Sequence, residues 1–207
     1  SKTWIVGSST QDHYGCFMLL QKGNQQSPKA VITDMPGFHG TLQTRFYADP
    51  LKWACTNLFK YQPEELAKVE IVNNEKSNRT FSVEYDGNNF DAKREGVSQP
   101  FDTNQVRNYI LEYKKIHFEN ITVELSPIEI DSIKASTPYI ILNITEQSGI
   151  KRSFNCFRKK PYAGKTLDLS GNPIEYDQDR LWVQLEDGRF ARVQYYVFDK
   201  LFLGYRK

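Results

Sequence analysis

The sequence predicts an α+β protein in which antiparallel sheets pack with helices. Three observations carry that prediction. Aromatic residues make up 14% of the chain, and Val, Ile, Phe, Tyr and Thr dominate its patterned stretches, a composition that suits half-buried pleated strands. Short alternating runs recur with Gly-containing turns between them. Two segments, opening at Asp102 and Ser126, instead carry helix-start signals followed by apolar residues three and four apart.

Residues 3–6 and 16–20 read as strands joined by the Gly/Ser-rich loop 7–15, and residues 30–34 as a third strand. Beyond a Gly/Pro turn, Leu42, Arg45 and Phe46 stand at helical spacing, with a strand as the alternative. Asp49-Pro50 is a helix start: the carboxylate accepts from an orphan N–H, and proline fills the first position, where no donor is needed. Leu51, Ala54, Cys55 and Leu58 continue it as one apolar face.

Residues 68–73 alternate as a strand. Residues 80–85 and 89–93 form a hairpin about Asp86-Gly87, whose glycine accepts a positive φ. Asp102 caps a helix running towards Phe118, with Gln105 placed to return a bond to the cap and Val106, Tyr109, Ile110 and Tyr113 as the buried stripe. Ser126-Pro127-Ile128-Glu129 repeats the capping logic and starts a shorter helix ending near Ala135. Residues 137–145 and 151–158 are strands about a Gly-containing turn. After the loop 159–179, residues 181–185 and 190–198 pair as strands around Asp187-Gly188.

At 207 residues the chain can form one large domain or two small ones. A constant offset of 150 positions lays residues 2–7 on 152–157 and residues 29–51 on 179–201. Trp4 then meets Phe154, Val31 meets Leu181, Phe46 meets Tyr196, Asp49 meets Asp199 and Leu51 meets Leu201. This match predicts an internal duplication, with residues 1–62 as the C-terminal part of a first unit and 63–207 as a complete second one. It carries the further expectation that the natural chain continues upstream with the rest of the first unit. A single α+β domain that opens with a strand is the alternative.

The first third of the chain carries a distinct set of features. A Val6-Gly7 strand end leads into the loop Ser9-Thr10-Gln11-Asp12 and the strand of Phe17-Met18. The turn Pro36-Gly37-Phe38-His39-Gly40, the pair Arg45-Phe46 and Trp53 follow. This pattern resembles an uncharacterised bacterial envelope family of Bacteroidetes type, domain of unknown function 4340, and the capped helix at Asp102 is similar to that family's second unit. Two positions depart from it: Cys16 stands where members often carry a small residue, and Ala54 where an Arg often follows the Trp. The resemblance implies an extracytoplasmic, periplasmic protein, held to the membrane by an N-terminal anchor. It also implies a protein partner in an envelope assembly, such as a transporter or gliding-motility accessory. It brings no enzymatic activity and no cofactor.

Composition narrows function without naming a reaction. The net charge of +2 is too close to neutral to imply a polyanion partner. The three cysteines Cys16, Cys55 and Cys156 are too few and too widely spaced for a disulfide framework and read as small buried residues. Residues 161–166, PYAGKT, end like a phosphate loop, but Lys159 stands where the motif needs its first glycine. Asp12, His13, Cys16 and His39 are the nearest approach to a metal set or a Cys/His nucleophile pair, and no metal is expected of them. His117 reads as a helix-end cation.

Two groups remain as ligand or partner contacts. Arg45 and Phe46 follow the Gly-bracketed turn, although Arg45 also suits a structural pairing with Asp34 or Asp49. Residues 151–165 hold Lys151, Arg152, Arg158, Lys159, Lys160 and Lys165 with no acid, interleaved with Phe154, Phe157 and Tyr162. That composition suits a single-stranded nucleic-acid platform. The acids Asp168, Glu175, Asp177, Asp179, Glu186 and Asp187 that follow would cancel much of its field. No nucleic acid is therefore expected; a solvated strand and loop is the plain reading, and the alternative gives Arg158, Lys159 and Lys160 to a contact with a partner protein or an anionic lipid. The favoured function is an extracytoplasmic interaction or scaffold module. A small-ligand binder and a weak Cys/His hydrolase are the alternatives.

Overall fold

A computed structural model describes residues 1–37, 42–46, 53, 55–121, 125–162, 164, 166–168 and 170–204. The chain is α+β, as expected, and divides into two compact units, Ser1–Ala54 and Cys55–Lys207. The division falls ahead of the expected 62/63 boundary because residues 57–59 already pair and pack within the second unit.

In the first unit β1 (Lys2–Ser9) pairs antiparallel with β2 (Cys16–Lys22), which also pairs with β3 (Gln25–Gln26) and β4 (Val31–Thr33). Direct partners share a face, so Val6, Met18 and Val31 lie on one side and Phe17 and Ile32 on the other. Leu42–Arg45 is one 3-10 turn, in place of the longer helix or strand that its spacing allowed. The expected helix start at Asp49-Pro50 lies outside the described residues. Its expected end is different: Asn57–Phe59 is a strand, β5.

The second unit is built on a nine-stranded antiparallel sheet. Its strands are β6 (Leu66–Asn73), β7 (Phe81–Tyr85), β8 (Phe90–Arg94), β9 (Val97–Ser98), β11 (Asn120–Ile121), β12 (Ile140–Glu146), β13 (Lys151–Arg158), β14 (Arg180–Gln184) and β15 (Phe190–Gln194). They lie in the order β11-β15-β14-β13-β12-β6-β7-β8-β9. Alternation fixes the register. Ile71 faces Leu142 and Val69 faces Ile144, all buried, while on the opposite side Asn143 Nδ2 donates to Glu70 Oε2 at 3.0 Å. A register shift at Glu146 returns Leu66 to the core side although it precedes Val69 by three positions. The β7–β8 hairpin turns as expected: Asp86 Oδ1 accepts from the N–H groups of Asn88 and Asn89, and Gly87 sits at φ 100°.

Helix α1 (Thr103–Leu111) starts at Asp102, whose side chain accepts from Asn104 N–H. Val106, Tyr109, Ile110 and, in the 3-10 turn that follows, Tyr113 form the predicted buried stripe. The helix is shorter than expected. Ile116–His117 leaves it as strand β10 and pairs with β5, since sheet pairing to a distant strand outweighs continuation of the helix. Helix α2 (Pro127–Ala135) has the predicted capping box, Ser126 N–H donating to Glu129 Oε2 at 2.8 Å, and ends at the predicted residue.

The C-terminal strand expected over 190–198 stops at Gln194, and Tyr195–Leu203 forms helix α3. Phe198, Leu201 and Phe202, three and four apart, are all buried, and Tyr196 is exposed. Gly204 follows at φ 67°, where a Cβ would come within 2.6 Å of the Phe81 ring, so both backbone and packing require glycine there.

Two apolar clusters result. The larger joins β6, β12, β13, β14 and β15 to α1 and α3, while Phe157, Trp182 and Phe190 meet Leu125, Ile130 and Ile133 beside α2. Strands β13–β15 thus bury side chains on both faces.

The predicted duplication does not appear in the topology. β2 lies between β1 and β4, whereas their counterparts β13 and β14 pair directly. The loop between those two contributes one isolated bridge, Leu167 with Pro173. Leu42–Arg45 is a 3-10 turn where the counterpart residues end strand β15. Apolar positions match at one offset where both stretches are strands, as in β1 with β13 and β4 with β14, and alternation does not specify strand order.

Candidate functional site

The end of β13 forms one wall of a cleft of about 790 Å³ within the second unit. Helix α2 supplies Glu129, Ser132 and Ile133; Tyr162 and Tyr176 come from the loop after β13. Phe157 and Trp182 make an apolar floor, each 4% exposed. The strand pleat explains the placement. Phe157 turns to the α2 side while its neighbours Phe154 and Cys156 serve the main core, and the chain then leaves the sheet at Arg158.

Three of the predicted contact residues, Arg158, Lys159 and Lys160, line this cleft. Arg158 is fixed on every side. Its Nε and Nη2 donate to Glu75 Oε1 and Oε2 at 2.8 and 2.7 Å, a two-point pairing, and Nη1 donates to Tyr195 Oη at 3.2 Å. Its guanidinium carbon lies 3.8 Å from the Tyr139 ring centroid and 5.5 Å from that of Tyr176. The hydrogen bonds with Glu75 raise the Arg158 pKa, and the same bonds hold the Glu75 carboxyl below its usual range. Burial pushes the Tyr195 phenol up to about 12.

Lys159 is 5% exposed, an unusual place for a lysine. Its Nζ donates to Asp177 Oδ2 and to the carbonyl of Lys160, both at 3.1 Å. It lies 3.5 Å from the Tyr162 centroid and 5.7 Å from that of Trp182. Asp177 in turn accepts from the N–H groups of Asp179 and Arg180 through Oδ1. Burial pushes the Asp177 carboxyl up, but the Asp179 N–H, Lys159 and the Arg180 N–H outweigh it and leave the pKa below the usual value.

Lys160 is exposed. Glu129, across the cleft, accepts from the Ser126 hydroxyl and N–H; those bonds, with a smaller contribution from the Lys160 charge, lower its pKa.

The remaining candidates lie elsewhere. Arg45 and Phe46 belong to the first unit, Arg45 at the end of the 3-10 turn and Phe46 44% exposed. Asp49, one of the pairing partners considered for Arg45, lies outside the described residues, as do His39 and Lys165. Cys16 is fully buried and its thiol donates to the Gly7 carbonyl at 3.3 Å; His13 is exposed in a turn at φ 60°. Among the described residues no three His, Cys, Asp or Glu side chains are grouped to hold a metal ion. Cys156 is buried as expected, and burial raises its thiol pKa. Cys55 is exposed, against expectation, and stands two residues ahead of β5.

His117 does not lie at a helix end. It sits in β10 with Nδ1 3.0 Å from Thr56 Oγ1, and its buried Nε2 has no hydrogen-bond partner among the described residues.

The sequence missed Glu75, Tyr139, Tyr176 and Tyr195. Only Asp177 had a signal, as one of the acids expected to cancel the basic stretch. Arg152 behaves the same way, pairing with Glu146 and Glu186. No family model matches the chain, and neither the curated proteins nor the solved structures contain a match. The likeness to the envelope family therefore stands on its motifs alone.

Proposed function

We propose that the chain is an interaction module, and that the cleft between α2 and the end of β13 holds a segment of a partner protein. One observation carries this reading: a cleft of about 790 Å³ with a rim pinned by Arg158 and Lys159 still leaves Tyr162 and Tyr176 39% and 38% exposed. Rigid aromatic side chains beside an apolar floor bind with little further loss of side-chain freedom. The volume lies within the range of roughly 300–1,000 Å³ common for binding clefts. An extracytoplasmic setting in an envelope assembly, with a membrane anchor, remains part of the proposal and is supported by the motifs of the first unit. Among the described residues no helix is long and apolar enough to cross a membrane.

Selection from a displayed library of random linear peptides tests the cleft. Peptides enriched on the wild-type protein should lose at least about tenfold in affinity on Ser132→Trp, which places an indole where a small exposed side chain lines the cleft. Peptides that bind both proteins equally, or no enrichment at all, would remove the cleft from the proposal.

A further inference from the structure

Resting on the cleft reading above, we infer that its occupant is an acidic segment, in which a carboxylate meets Lys160 while a neighbouring aromatic or aliphatic side chain lies against Tyr162 and Tyr176. The argument is one of charge already spent. Three cations line the cleft. Arg158 is neutralised by Glu75 and Lys159 by Asp177, both at hydrogen-bond distance. A ligand carboxylate at either would have to displace a carboxylate already in place. Lys160 differs. It is exposed, and among the described residues its ammonium has no carboxylate in ion-pair contact. Glu129 lines the same cleft and its lowered pKa registers the Lys160 charge; its Oε2 accepts from the Ser126 hydroxyl and N–H, and among the described residues it makes no ion-pair contact with Lys160.

The aromatic side of the cleft fixes the second half of the ligand. Tyr162 is held by the cation beneath its ring and by Arg192, which donates to its hydroxyl. Tyr176 is held over Arg158. Both rings are thus positioned before a ligand arrives, with part of each surface open, and both line the same cleft as Lys160. Complementarity to this surface requires a negative charge next to an apolar side chain. A basic segment would meet the positive charge of Lys160 unaided, and a neutral one would leave it without a partner. An exposed ion pair is weak by itself, so the charge selects among ligands, and the apolar contact supplies most of the affinity.

The test repeats the peptide selection on Lys160→Glu beside the wild type. Wild type should enrich Asp or Glu next to an aromatic, Leu or Ile. The charge-reversed protein should enrich Lys or Arg at the same place. The best wild-type peptide should lose about tenfold in affinity on Lys160→Glu, with the difference shrinking as salt is raised. Lys160→Gln, which removes the charge without reversing it, should abolish the preference for either sign and guards against a folding defect in the first variant. The same consensus from all three proteins, with binding still lost in Ser132→Trp, would overturn the acidic ligand and leave the cleft intact. Failure of wild type to enrich any peptide that Ser132→Trp rejects, or rejection by Ser132→Trp of arrayed neutral oligosaccharides instead, would overturn both.

Discussion

Lys159 is a buried charge, and a buried charge is tolerated only with its partners. Asp177, the Lys160 carbonyl and the Tyr162 face supply them. Asp177→Asn turns an acceptor towards Lys159 into a donor and strands the ammonium. We expect it to cost about 3–5 kcal/mol in urea denaturation. Adding Lys159→Met to it should recover part of that loss, because the unpaired charge is then gone. A cost below about 1 kcal/mol for Asp177→Asn would show that the pair is not buried in solution. The pair also sets a pH dependence. Asp177 and Glu75 both have lowered pKa values in the fold, whereas unfolded carboxyls titrate near about 4. Between the two values the unfolded chain binds more protons, so stability is complete above about pH 4 and falls as acid carries each group through its folded pKa. Asp177→Asn should flatten that acid slope. The basic residues 151–160 were legible in the sequence, but the carboxylates that neutralise them were not, except as a nearby excess of acid. Glu75 meets Arg158 across 83 positions of chain, and no local pattern encodes such a pair.

At the scale of elements, capping chemistry was the most faithful guide. Asp102 and Ser126 start α1 and α2 where their side chains can take the orphan N–H groups, and Asp86-Gly87 turns the hairpin. Helix ends were less legible, because tertiary pairing decides them: β10 ends the α1 region once β5 offers a strand to pair with. The segment 195–203 shows the same limit. Its residues satisfy a two-residue and a three-to-four-residue period over their first half, and Phe198 fits both. The two readings differ at Tyr196. A strand would set Tyr196 and Phe198 on one face, while α3 buries Phe198 at 1% exposure and leaves Tyr196 at 83%. Phe198→Ala should therefore cost about 3–5 kcal/mol, and Tyr196→Ala should stay within about 0.5 kcal/mol of wild type. Equal costs in chemical denaturation would return the segment to a strand.

At the scale of the whole molecule, the large core cluster lies entirely within the second unit, from Phe59 to Phe202. Among the described residues the first unit contributes Cys16, Met18 and Leu42 to the buried hydrophobic set. A fragment spanning residues 55–207 should thus unfold cooperatively by itself, with near-ultraviolet circular dichroism from its packed aromatics. Residues 1–54 alone should give no cooperative transition, since so few buried side chains do not offset the chain entropy of folding. A non-cooperative 55–207 fragment would contradict the division. The α+β class, the caps, the hairpin turn and the inward residues of most strands were readable in the chain alone, because each depends on neighbours within a few positions. The strand order, the helix over 195–203 and the gathering of Glu75, Tyr139, Asp177 and Tyr195 around Arg158 and Lys159 emerged from long-range contacts. Alternation tells a strand which face to bury but carries no record of which strand lies beside it, so strand order and the composition of the cleft both came from long-range pairing.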